Sequence, residues 1–135
     1  MIYFKFNEKS YQCAETNKKK TLLGRILHSV AMFFAANPDF EDKIEHVAQW
    51  FVEYDDVTYN VVVREIGLDS KGEIIVKMPD ERNYGFWGDT NCKIEDLRKF
   101  GITMITEQEF NLLWSSVVYD NEKHQLVKTK CNGKS

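Results

Sequence analysis

The run Val61 to Met78, VVVREIGLDSKGEIIVKM, is patterned as a β-hairpin, and a hairpin commits the chain around it to a sheet. Val62, Arg64, Ile66 and Leu68 alternate with Val61, Val63, Glu65 and Gly67, so the first strand has one strongly apolar face and one mixed face. Asp69-Ser70-Lys71-Gly72 supplies turn residues, with Gly72 able to take a positive φ at no steric cost. Glu73 to Met78 returns with Ile74, Val76 and Met78 on one face and Glu73, Ile75 and Lys77 on the other. Pro79 brings no N–H and ends the ladder.

Upstream, Ala48 to Asp56 keeps the same period, with Trp50, Val52 and Tyr54 opposed to Phe51, Glu53 and Asp55, and Asp55-Asp56 turns the chain into Val57 to Val63, which joins the first strand of the hairpin. Three strands are therefore contiguous as a meander. Met1 to Phe6 alternates in the same way and is the natural fourth.

Helical spacing occupies the rest. The best-defined start is Thr106-x-x-Glu109, a capping box, with Ile105 and Phe110 in the two positions of a hydrophobic staple. Phe110, Leu113, Trp114 and Val117 then follow at i, i+3, i+4 and i+7 as its inner face. A core helix is expected over 21–36, closed by Asn37-Pro38. Shorter helices are expected over Asp39 to Val47 and over Lys93 to Phe100, the latter capped by Gly101. The fold class is α+β, one domain over residues 1–135. A central antiparallel meander of about four strands carries helices on one face, at 21–36 and 106–117. The polar tail at 120–135 adds a short edge strand around Gln125 to Thr129 and frays at its end.

A chain of 135 residues buries about two-thirds of its unfolded surface and needs neither disulfide nor metal to fold. Cys13, Cys92 and Cys131 are odd in number and widely spaced, which reads as ordinary thiols in a reducing cytoplasm. Lys18-Lys19-Lys20 ahead of an apolar run is reminiscent of a signal peptide. It starts too late in the chain, is interrupted by Arg25 and His28, and is too short to span a bilayer. No membrane association is expected.

Net charge is −3, and its placement says more than its sum. Residues 37–57 carry seven acids against Lys43 alone, between a basic N-terminal stretch and a basic tail. No concentrated Lys/Arg face is available for phosphates, so nucleic acid is not an expected partner. An acidic belt suits a basic one.

The sequence holds no G-x-S-x-G, H-E-x-x-H, Walker A or G-x-G-x-x-G, and His28, His46 and His124 are scattered over unrelated segments. No enzymatic activity and no cofactor are expected. One chemical alternative is a metal-dependent enzyme in which Glu41, Asp42 and Glu45 converge with Glu53, Asp55 and Asp56. The acids have a simpler use, since carboxylates on a rigid frame can occupy the places that phosphates take in a basic nuclease cleft. Aromatic side chains beside them would serve as desolvated anchors. The candidate partner-binding residues are Glu53, Asp55, Asp56, Asp80, Glu81, Tyr84, Trp87 and Asp89, with Tyr54 beside the first three.

Five runs carry a resemblance: WFVEYDD (Trp50–Asp56), REIGLD (Arg64–Asp69), GEIIVKMP (Gly72–Pro79), NYGFWGD (Asn83–Asp89) and EFNLLW (Glu109–Trp114). Together they resemble small bacterial proteins that accompany polymorphic toxins, in particular immunity proteins of contact-dependent growth inhibition systems. The resemblance implies a cytoplasmic protein that binds and neutralises one toxin domain, often a nuclease, without a cofactor. It transfers no contact residue. A small adaptor that takes a partner strand onto an exposed sheet edge is the other binding class compatible with the pattern.

Overall fold

A computed structural model describes residues 1–8, 39–83, 94–99 and 101–130. The expected helix over 21–36, the loop holding Tyr84, Trp87 and Asp89, the Lys18–Lys20 run, His28 and all three cysteines lie outside the described residues.

The elements in chain order are β1 (Ile2–Asn7), α1 (Glu41–Ile44), β2 (Gln49–Asp55), β3 (Val61–Leu68), β4 (Ile74–Met78), α2 (Ile94–Arg98), β5 (Thr103–Met104), α3 (Glu107–Ser116), β6 (Val117–Asp120) and β7 (Gln125–Lys128). β4, β3, β2, β1 and β5 form one sheet in that order, with every neighbouring pair antiparallel. The meander is as expected. β1 joins it against β2 in the register Ile2↔Tyr54 to Asn7↔Gln49, and the two-residue β5 extends the sheet beyond it.

Two bulges correct the simple alternation of the hairpin. Glu53 pairs with Arg64 but Tyr54 pairs with Val62, so Val63 is the extra residue and Val62 moves to the face opposite Arg64 and Ile66. Likewise Gly67 pairs with Val76 and Leu68 with Ile74, which leaves Ile75 as the extra residue and separates Ile74 from Val76. Each bulge adds a residue on one strand and reverses the facing of everything beyond it.

The two faces bury different clusters. On one, Phe4, Phe6, Trp50, Val52, Tyr54, Val76 and Met78 pack with Phe40, Val47 and Leu97 from the α1 region and α2. Tyr119 and Leu126 close this core from the β6–β7 hairpin. On the other, Tyr3, Phe51 and Ile66 pack against Phe110 of α3, with Ile105, Leu113 and Trp114 around them. Val47 reaches the sheet because position 67 is glycine: a Cβ there would stand 2.7 Å from Val47 Cγ2 and 3.1 Å from Val76 Cβ.

Thr106 caps α3 as its sequence implies, its Oγ1 accepting from Glu109 N at 3.1 Å. The helix ends one residue earlier than its apolar period suggests. Val117 is extended (φ −132°, ψ 150°) and begins β6. Ser115 and Ser116 turn their hydroxyls back onto the carbonyls of Asn111 and Leu113, and Val117-Val118-Tyr119 is a β-forming run, so the chain leaves the helix there. The strand expected around Gln125 to Thr129 is β7, paired with β6.

Candidate functional site

The register of the sheet brings two acidic loops to the same end. Met78 pairs with Glu65, so the chain leaves β4 heading toward the Val61 end of β3, where the β2–β3 turn also lies. Met1, which precedes Ile2↔Tyr54, stands at this end too.

In the β2–β3 turn, Asp55 Oδ1 accepts from Val57 N at 3.0 Å and Thr58 N at 2.9 Å, and Asn60 closes the turn at φ +53°. The Thr58 and Val57 amides hold the Asp55 carboxyl below its ordinary pKa. Asp56 is ion-paired with the Met1 ammonium at 2.8 Å, a hydrogen bond that likewise lowers its pKa. Both stay ionised at neutral pH.

After β4, Asp80 folds its own loop, with Oδ1 accepting from Arg82 N at 2.7 Å and Asn83 N at 2.8 Å. Asn83 is fully buried and bridges this loop to Asp39, donating from Nδ2 at 3.0 Å and accepting from Asp39 N at 3.2 Å. Arg82 forks onto the Asp39 carboxylate at 2.9 and 3.1 Å. Burial would raise the Asp39 pKa, but hydrogen bonds from Tyr119, Arg82 and Asn83 outweigh it and hold it at about 2. Glu81 is exposed.

Glu53 is not on this surface. It is buried under α3, where Oε1 accepts from Tyr3 Oη at 3.0 Å and Oε2 pairs with Arg64 Nε. The Arg64 guanidinium also reaches Asn111 Oδ1 at 3.0 Å and lies over the rings of Phe110 and Trp114. Tyr54, read as an aromatic neighbour of the acids, is 1% exposed and belongs to the core. Thus Asp55, Asp56, Asp80 and Glu81 share one end of the sheet, Glu53 holds a helix in place, and Tyr84, Trp87 and Asp89 lie outside the described residues.

Two side chains at this end escaped the sequence reading. Val57 and Tyr59, at the tip of the β2–β3 turn, are 79% and 72% exposed. Nothing local marks them as turn residues, because Val57 and Tyr59 fall in step with Val61 and Val63 and read as the start of that strand, whereas β3 begins only at Val61.

Among the described residues no group of three or more His, Cys, Asp or Glu side chains converges as metal ligands. The outer surface of α3 forms a shallow groove of about 570 Å³ lined by Thr106, Glu107, Gln108, Asn111, Leu112 and Ser115, in which Thr106 is already engaged as the helix cap. Among the described residues no helix is long and apolar enough to cross a membrane. No protein-family model, curated protein or solved structure matches the chain.

Proposed function

We propose that this chain is a cytoplasmic immunity protein that binds one cognate toxin domain, a nuclease with a basic cleft, and neutralises it by occlusion without chemistry of its own. The observation that carries this reading is the set of acids at one sheet end, Asp55, Asp56, Asp80 and Glu81, the first three tied by hydrogen bonds or ion pairing to the frame. Carboxylates so held need no reordering when they meet Lys and Arg side chains, which lowers the entropic cost of association. Their field also steers encounter, toward rates of roughly 10⁸ M⁻¹s⁻¹ at low salt.

Among the described residues, two of the runs that resemble immunity proteins fall largely on frame positions. REIGLD supplies Arg64 and Ile66 under α3 and Gly67 beneath Val47, while WFVEYDD is β2 with its turn. A second reading, an adaptor that accepts a partner strand, draws on β5, whose Thr103 and Met104 are both exposed. It implies binding that varies little with salt.

The test is co-expression with the toxin domain encoded immediately upstream, read by growth and by co-purification. Rescue together with a complex that weakens as salt rises is the expected result. Neither rescue nor complex would overturn the reading.

A further inference from the structure

We propose that Val57 and Tyr59 are the anchor of the partner-binding surface, entering an apolar pocket rimmed by Lys or Arg on a protein partner. This rests on the neutralising function above and names the part of the surface that holds the partner.

Large apolar side chains gather at one end of the sheet. Among the described residues the exposed ones are Met1, Val57, Tyr59, Val63, Met104, Leu112 and Val118. Four of these stand at the β2–β3 end: Met1 through its ion pair with Asp56, Val57 and Tyr59 at the turn, and Val63 as the bulged residue of β3. Isolated exposed apolar residues need no explanation, but a gathered patch does.

The turn is also held in shape before any partner arrives. Asp55 ties down the amides of Val57 and Thr58, so presenting Tyr59 forfeits little further freedom on binding. Tyrosine suits a pocket that is apolar within and wet at its mouth, because its ring buries and its hydroxyl finds a partner.

Charge selects the occupant. Asp55 and Asp56 precede the apolar tip and the Met1 ammonium offsets one of the two charges, so the tip keeps a net negative charge that would repel a phosphate backbone or an anionic lipid surface. A second copy would bring like charges together. Basic side chains around an apolar pocket complement both parts of the patch.

The probe is the catalytically inactivated domain encoded immediately upstream, titrated against the full chain and its variants. V57A/Y59A is expected to weaken binding by roughly thirtyfold or more, the loss typical of a buried interface aromatic, with an unchanged thermal midpoint. Y59F is expected to bind within roughly fivefold of the parent, since the ring is retained. If the parent binds and V57A/Y59A binds within about twofold of it, the anchor is overturned while the neutralising function stands. If the parent itself does not bind, that function fails and the anchor with it. Sedimentation showing that V57A/Y59A abolishes self-association of the chain would assign the tip to a second copy and also overturn the proposal.

Discussion

Arg64 on β3 and Glu53 on β2 form an ion pair that α3 closes over. The guanidinium carbon lies 4.8 Å from the centre of Trp114 and 5.0 Å from that of Phe110, while Tyr3 donates to the far oxygen of the carboxylate. Glu53 is 6% exposed, so these partners take the place of water around its carboxylate. The pair joins two strands and a helix, and so links the sheet to one of its covers.

Glu53→Gln is therefore expected to act on stability before it acts on binding. Removing one member of a buried pair leaves the other uncompensated, and because Arg64 retains some solvent the cost is set below the fully buried case, at about 2 kcal/mol. A urea titration of the variant should show a lower midpoint at unchanged slope. An unaltered midpoint would count against this structural role.

Gly67→Ala is expected to cost about 1–3 kcal/mol, because the added methyl meets Val47 at 2.7 Å inside a packed core. Pairing it with Val47→Ala removes the close contact. The double variant should then be less destabilised than the sum of the two single ones, and a double-mutant cycle measures that coupling. Simple additivity would mean that the strand moves away instead.

At α3, Thr106→Ala is expected to lose about 1 kcal/mol, the usual value of a side-chain cap, together with amide-exchange protection in the first helical turn. Glu109→Ala should cost much less. Its carboxylate reaches Lys5 at 3.6 Å, and that pair is exposed at Glu109 and half-buried at Lys5.

The pH response follows from the Asp39 cluster and two tyrosines, Tyr3 buried and Tyr119 partly buried. The Asp39 pKa is depressed from 3.8 to about 2, so its contribution to stability is full above 3.8 and disappears as pH falls toward 2. Tyr3 and Tyr119 are raised from 10 to about 12, chiefly by burial and then by hydrogen bonds to Glu53 and Asp39. Their contribution is full below 10 and is lost as pH rises through 12. Phenolate absorbance should show Tyr3 and Tyr119 titrating late, and Arg82→Ala should move the acid unfolding limb to higher pH. An acid limb unchanged in that variant would detach Asp39 from acid stability.

Local pattern alone determined the hairpin Val61 to Met78, the meander and the start of α3. Turn residues, a capping box and periods of two or near four act within a few residues of one another. It also brought Asp55, Asp56, Asp80 and Glu81 forward as surface acids. Tertiary structure decided the rest. Only pairing between strands could locate the bulges at Val63 and Ile75 that send Val62 and Ile74 to opposite faces from those their alternation implied. Only the packing of α3 on the sheet could turn Glu53 from a surface acid into the buried partner of Arg64, because burial depends on what lies above a residue and not on its neighbours in sequence. The exposure of Val57 and Tyr59 has the same origin: apolar chemistry favours the core, but a turn held by Asp55 at the far end of two strands leaves them no core to enter.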